Sequence, residues 1–164
     1  MTREHHYELG LDWVGDLGRG TADYRAYSRD HVITAPGLPQ LPGSSDPSFR
    51  GDPTRWNPEQ LLVASLAQCH LLWYLHLASR AGVVVVGYQD APTGVMVEET
   101  DGSGRFASVT LRPRVTVAPG SDPGVAQRLH AQVGEFCFIA RSVAFQVRHE
   151  PTIVVADAAA TPRS

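Results

Sequence analysis

Two cysteines, Cys69 and Cys137, and seven histidines are the residues through which this 164-residue chain could do chemistry beyond ordinary acid–base work. Cys69 sits inside the apolar run NPEQLLVASLAQCHLLWYLHLASRAG, residues 57–82, and Cys137 closes SDPGVAQRLHAQVGEFC. Free cysteine is among the most buried residue types, so the default role of a thiol in an apolar helix is inert packing. That default is weaker for Cys137, where a helical pattern gives way to FIARSV, because helix ends are where chains meet clefts. A zinc site is disfavoured by spacing. Adjacent helical residues point about 100° apart, so Cys69 and His70 do not converge on one ion, and no short Cys or His pair stands opposite another. The same geometry turns His70 away from acting as base for a Cys69 nucleophile. Redox chemistry is left, and a thiol at mid-helix needs a neighbouring cation to hold it as thiolate. The arginines of the loop before the helix are the candidates.

The background is that of a globular protein. Its net charge is −3 with both signs scattered, which provides no basic stripe for nucleic acid. MTREHHYELG has no apolar targeting region, and Gln68, His70, His76 and Arg80 interrupt the most hydrophobic stretch. A cytoplasmic protein without a membrane span is expected. Two cysteines are too few for a secreted disulfide framework.

The positioning elements follow from punctuation and periodicity. HYELGLDWVG and GTADYRAYSRDHVITA read as two strands around a glycine-containing turn, followed by an irregular loop rich in Pro, Gly, Ser and Asp up to residue 58. Together these make an N-terminal hairpin and loop, residues 1–56. For the central helix, 57–82, Asn57 suits a cap, Pro58 the first helical position, Gln60 the capping partner and Gly82 the stop. Its apolar residues cover nearly every side, which predicts a helix buried on most sides. Residues 83–155 read as a β-β-α-β part: a second hairpin turning at DGSG, a helix capped by Ser121 or Asp122 with Val125, Leu129, Val133 and Phe136 on one face, and a last strand pair, SVAFQVRHE and TIVV. A single domain, 1–155, with a disordered tail, 156–164, is expected.

NPEQLLVASLAQCH resembles the central-helix signature of the OsmC/Ohr family of organic-hydroperoxide-reducing proteins. Glu59 and Cys69 keep the family's ten-residue interval, and Cys137 follows Cys69 by 68 positions after an amphipathic helix, as the second family cysteine does. The family pattern places proline directly after that second cysteine, where this chain has Phe138 in CFIARS. The resemblance implies an α+β, OsmC-like fold, with antiparallel sheets packed around a long central helix in an intertwined homodimer whose active sites lie at the interface. A roughly 15 Å rise between Glu59 and Cys69 along one straight helix agrees with a site completed by a second subunit.

The implied activity is a thiol-dependent peroxidase, with no cofactor and no metal. Cys69 would attack an organic hydroperoxide, Cys137 would resolve the resulting sulfenic acid, and an external dithiol would restore both. Arg50 would hold the thiolate, oriented by Glu59, as in the OsmC branch. Arg19 of GDLGRG occupies the place of the arginine that the Ohr branch uses instead. Trp73, Phe138 and Trp56 are candidates for a substrate pocket and equally for plain core. The rival reading is a non-catalytic OsmC-fold protein that binds a small apolar ligand or senses redox state.

Overall fold

The computed structural model describes residues 3–157, and the chain divides into two compact units, Met1–Leu62 and Val63–Ser164. In the first unit, β1 (Gly10–Trp13) pairs antiparallel with β2 (His31–Thr34), as the hairpin reading expects. The connection between them is stiffened locally: the Asp16 carboxylate accepts from Gly18 N and Gly20 N, both at 2.8 Å, and the Arg29 guanidinium lies over the rings of Tyr24 and Tyr27.

The loop read as irregular contains more structure than composition suggests. β3 (Leu41–Gly43) adds antiparallel to the free side of β2. Pro42 is tolerated there because an edge strand has no outer partner to receive its missing N–H. A 3-10 turn at Pro47–Phe49, capped by Asp46, follows and ends at Arg50 in the left-handed region (φ 67°). Buried Ser44 ties the loop together: its hydroxyl donates to Asp30 Oδ1 and accepts from Asp52 N, both at 3.1 Å.

The helix α1 (Pro58–Arg80) is unbroken and starts with the expected reciprocal box: Gln60 N donates to Asn57 Oδ1 at 2.8 Å, and Asn57 N donates to Gln60 Oε1 at 3.2 Å. It stops at Gly82, whose φ of 71° no side-chain-bearing residue adopts cheaply, while Val83 N reaches back to Ala78 O at 2.9 Å.

Within the second unit, β4 (Val85–Gln89), β5 (Thr93–Glu98), β6 (Gly104–Leu111) and β7 (Arg114–Val117) replace the single hairpin expected over 83–118. Ala91-Pro92 and Arg112-Pro113 break each long run in two, since proline cannot donate to a ladder. Turning at DGSG, β5 pairs with β6, while β4 pairs with β7. The helix α2 (Pro123–Phe136) is capped by Asp122, which accepts from Gly124 N and Val125 N. The last two strands do not pair with each other. β8 (Gln146–His149) lies parallel to β6 and β9 (Thr152–Val155) parallel to β7, so two of the three sheets are mixed rather than purely antiparallel. Parallel pairing needs a long crossover, which α2 provides between β7 and β9. Of the tail read as disordered, Ala156 N donates to Val117 O at 2.8 Å, and residues 158–164 lie outside the described residues.

Leu66, His70, Tyr74 and Ala78 form the fully buried stripe of α1, at steps of four. Leu66 packs with Val109 and Leu111 of β6, while Tyr74 and Ala78 pack with Val115 and Val117 of β7 and with Ala126, Leu129, Val133 and Cys137. The helix is therefore buried along one face rather than most of its circumference, and Leu72 and Leu75 remain exposed. By length and composition α1 is apolar enough to cross a bilayer, a test that core helices of soluble proteins also pass.

Removing side chains from these two positions should separate packing from capping. Leu66→Ala, which empties a fully buried site, is expected to cost about 2–5 kcal/mol in urea unfolding, against about 1 kcal/mol for Asp122→Ala. Equal losses would contradict the assigned core.

Candidate functional site: a thiol pair beside a buried histidine cluster

Cys69 comes from the middle of α1 and Cys137 from the C-cap position of α2, whose last turn is closed by Cys137 N donating to Val133 O at 2.8 Å. Cys137 is 2 % exposed in the cluster that joins α1, α2 and β7, and half-buried Cys69 packs against that cluster. Both thiols are free, and they neighbour each other in this cluster closely enough to interact. Burial, and the Cys69 sulfur accepting from it, push the Cys137 thiol up to about 11, although Ala140 N donates to its sulfur at 3.4 Å. Cys137 is thus a protonated donor aimed at a more accessible sulfur.

One helical position beyond Cys69, the polar centre of the unit begins. His70 and His130 are almost wholly buried and joined Nε2 to Nδ1 at 2.9 Å. Their rings are nearly parallel (5°) with centroids 5.2 Å apart, the separation of an in-plane hydrogen bond rather than a face-to-face stack. His149 stacks on His70 at 4.5 Å and Tyr74 on His130 at 4.1 Å, with Tyr74 Oη donating to Ala126 O. Desolvation first, then the neighbouring imidazoles, lower His70 to about 3; the same causes lower His130 to about 4. Burial also lowers His149, against the attraction of Asp90, whose own carboxyl is raised by burial. His70 Nδ1, His130 Nε2, Tyr88 Oη and Asp90 Oδ2 are buried without hydrogen-bond partners. The imidazoles stack or bond in plane; among the described residues no three His, Cys, Asp or Glu side chains converge as metal ligands do.

The remaining sequence-predicted residues are placed as follows. Arg50 is exposed in the first unit and its guanidinium makes no ion pair or hydrogen bond among the described residues; Arg19 is exposed too. Glu59, in the first turn of α1, keeps Oε2 buried without a partner, and it is not ion-paired with Arg50 within the chain. Trp73 stacks on Phe136 at 5.3 Å and meets Phe138 edge-on at 5.6 Å, and with Leu72 and His76 it lines a shallow depression of about 190 Å³. Phe136 and Phe138 are exposed, so the inward face of α2 is Ala126, Leu129, His130, Val133 and Cys137 rather than one containing Phe136. Trp56 belongs to the first unit, bridged to Gly43.

Residues 51–152 match the family model of OsmC-like proteins. The chain belongs to the OsmC-like family. An OsmC-like protein of unknown function from Vibrio cholerae superposes with a TM-score of 0.81 at 27 % identity, covering 91 % of this chain and 100 % of that one. The fold is shared with an organic hydroperoxide resistance protein OsmC of Legionella pneumophila (TM-score 0.67, 16 % identity, 93 % and 98 % covered). A similar match is to the organic hydroperoxide resistance protein OhrB of Bacillus subtilis (0.62, 19 %, 92 % and 98 %). In sequence the chain is 22 % identical to the uncharacterized B. subtilis protein YmaD over 143 residues, 85 % of this chain and 87 % of YmaD.

Sequence reasoning missed the cluster of His130, His149, Tyr74, Tyr88 and Asp90 in this OsmC-like chain. A signal existed for the first: His130 occupies the buried face of α2 between Leu129 and Val133, where an apolar residue is the norm. The cluster has a pH consequence. His70, His130 and His149 carry folded-state pKa values below the unfolded value of about 6.5, so the unfolded chain binds more protons in acid. Their contribution to stability is intact above about pH 6.5 and drains away as pH falls toward 3, with raised Asp90 opposing in part. Urea midpoints should hold steady above that pH and fall progressively toward pH 4. A flat profile down to pH 4 would contradict the burial of neutral imidazoles.

Proposed function

We propose that this chain is a two-cysteine peroxidase that reduces organic hydroperoxides, and that the contact between the Cys69 and Cys137 thiols carries this reading. Exposure assigns the roles. Half-buried Cys69 meets the peroxide, whereas Cys137 is sealed off from bulk solvent beside its partner sulfur. The Cys69 thiolate attacks one peroxide oxygen; an S–O bond forms, the O–O bond breaks, and the alkoxide leaves as alcohol after taking a proton. Sulfur is oxidised by two electrons and the peroxide reduced by two. Cys137 then attacks the sulfenic sulfur; an S–S bond forms, the S–O bond breaks, and the proton that Cys137 retains departs with hydroxide as water. An external dithiol exchanges with the disulfide, is itself oxidised to a disulfide, and restores both thiols.

The aromatic depression around Trp73, flanked by Phe136 and Phe138, suits the organic part of such a substrate. In this reading Arg50 provides the cation that steadies the Cys69 thiolate and the leaving oxygen, and Glu59 steers it. A guanidinium and a buried carboxylate oxygen that both lack partners support that pairing. Fold relatives that include organic hydroperoxide resistance proteins support the substrate class. Two free thiols suit the reducing cytoplasm.

The same reading requires a second copy of the chain. Leu72 (65 % exposed) and Leu75 (38 %) on α1, with Val95, Met96 and Val97 on the wholly exposed β5, are the apolar surface such a partner would cover. Light scattering should return the mass of two chains at micromolar concentration; a monomer would withdraw the dimeric site.

Turnover is tested with cumene hydroperoxide and a dithiol. Wild-type protein is expected to consume the peroxide, Cys69→Ser to lose essentially all activity, and Arg50→Ala to lose about 10–100-fold in the oxidation step. Cys137→Ser should stop after one equivalent, with a sulfenic acid on Cys69 that dimedone traps. Peroxide loss that is the same in wild type and Cys69→Ser would leave the ligand-binding or sensing reading in its place.

A further inference from the structure

The hydrogen bond between His70 and His130 joins the same two helices that carry the reactive thiols. Cys69 and His70 are neighbours on α1, while His130, Val133 and Cys137 share the inward face of α2, with His130 two turns before the thiol. Besides the thiols, the other polar contact between these helices is the Tyr74 hydroxyl, on its long side chain, donating to Ala126 O at 3.2 Å; the rest, Tyr74 and Ala78 against Ala126, Leu129 and Val133, is apolar. Apolar packing is non-directional: it resists separation of the helices but tolerates sliding or rotation. A 2.9 Å bond between two rigid rings tolerates little of either, and the stacking of Tyr74 on His130 and of His149 on His70 restricts both rings.

As a source of stability the pair is poor. Whichever ring donates, one buried donor and one buried acceptor are left over, the orphaned His70 Nδ1 and His130 Nε2, and both rings are desolvated. Two leucines of similar volume would fill the space without that cost. What leucines would not provide is register.

We propose that His70 and His130 are positioning residues: their buried hydrogen bond fixes α1 against α2 so that Cys137 is held at bonding separation from Cys69. This rests on the two-cysteine reading above, and it adds the device that makes the resolving step intramolecular. A disulfide demands a narrow range of sulfur and Cα geometry, so a shift of about an ångström between the helices weakens it sharply.

The experiment is a redox titration of the full chain in glutathione buffers, with acid quench, alkylation and mass spectrometry giving the effective concentration of the Cys69–Cys137 pair. His130→Leu and His70→Leu are expected to lower it by about tenfold or more, the equivalent of one lost buried bond. The double variant H70L/H130L separates position from stability: it should unfold at the same or a higher urea concentration than wild type while its effective concentration stays low. His130→Asn, whose amide nitrogen sits near the native Nδ1, should restore the wild-type value. His130→Gln, equally polar but with the amide displaced, should not, and this Asn and Gln comparison decides the matter if the leucine variants fail to fold. Wild-type values in the leucine and glutamine variants would overturn the positioning role while leaving the peroxidase reading intact. A wild-type protein that forms no intramolecular disulfide in any buffer would overturn both.

Discussion

The proposed chemistry depends on one close approach, that of the half-buried Cys69 sulfur to the buried Cys137 sulfur across the junction of α1 and α2. The approach is a packing result. The stripe Leu66, His70, Tyr74 and Ala78 turns α1 toward β6, β7 and α2, and a residue one position before that stripe lands at its edge, partly open to solvent. On α2 the stripe Ala126, Leu129, His130 and Val133 ends at Cys137, so the helix terminus itself delivers the second thiol. Moving Cys69 by one residue along α1 would rotate it by about 100° and separate the pair.

The environment then divides the labour between two chemically identical groups. Burial and the partner sulfur hold the Cys137 proton well above the usual thiol range, while Cys69 is only half-buried. In the proposed cycle a sealed, protonated thiol makes a poor first nucleophile and a well-placed second one, since its proton is needed by the departing hydroxide. The same hydrocarbon setting contains a costly polar centre. Three imidazoles, two tyrosines and an aspartate share the space behind the thiols, and only part of their hydrogen-bonding capacity is used. Such an arrangement trades stability in acid for geometric definition of the helices around it.

Much of this was legible before any coordinates. The caps of α1 and α2, the DGSG turn and the helix-end position of Cys137 all follow from local chemistry, since each depends on residues within a few positions of one another. The family resemblance rested on a thiol pair at fixed spacing, and the match over residues 51–152 agrees with it. What depended on partners distant in sequence was not legible. The apolar run of α1 suggested burial all round, yet the chain by itself covers only the face that its sheets and α2 can reach. SVAFQVRHE and TIVV read as a pair because they are adjacent, but each finds a longer-range parallel neighbour in β6 and β7. His130 and His149 looked unremarkable because only the packing of α2 and β8 brings them to His70. Arg50 and Glu59 carry no mutual contact within one chain, and the pairing proposed for them follows from no local rule.

The most direct measurement of the central claim is disulfide mapping of the wild-type protein after one equivalent of an organic hydroperoxide. Peptides linked through Cys69 and Cys137 of the same chain, with two hydrogens lost and no higher oxide on either sulfur, are the predicted product. Recovery of both cysteines as free thiols, or of Cys69 as sulfinic acid with Cys137 untouched, would contradict a thiol pair built to close on itself.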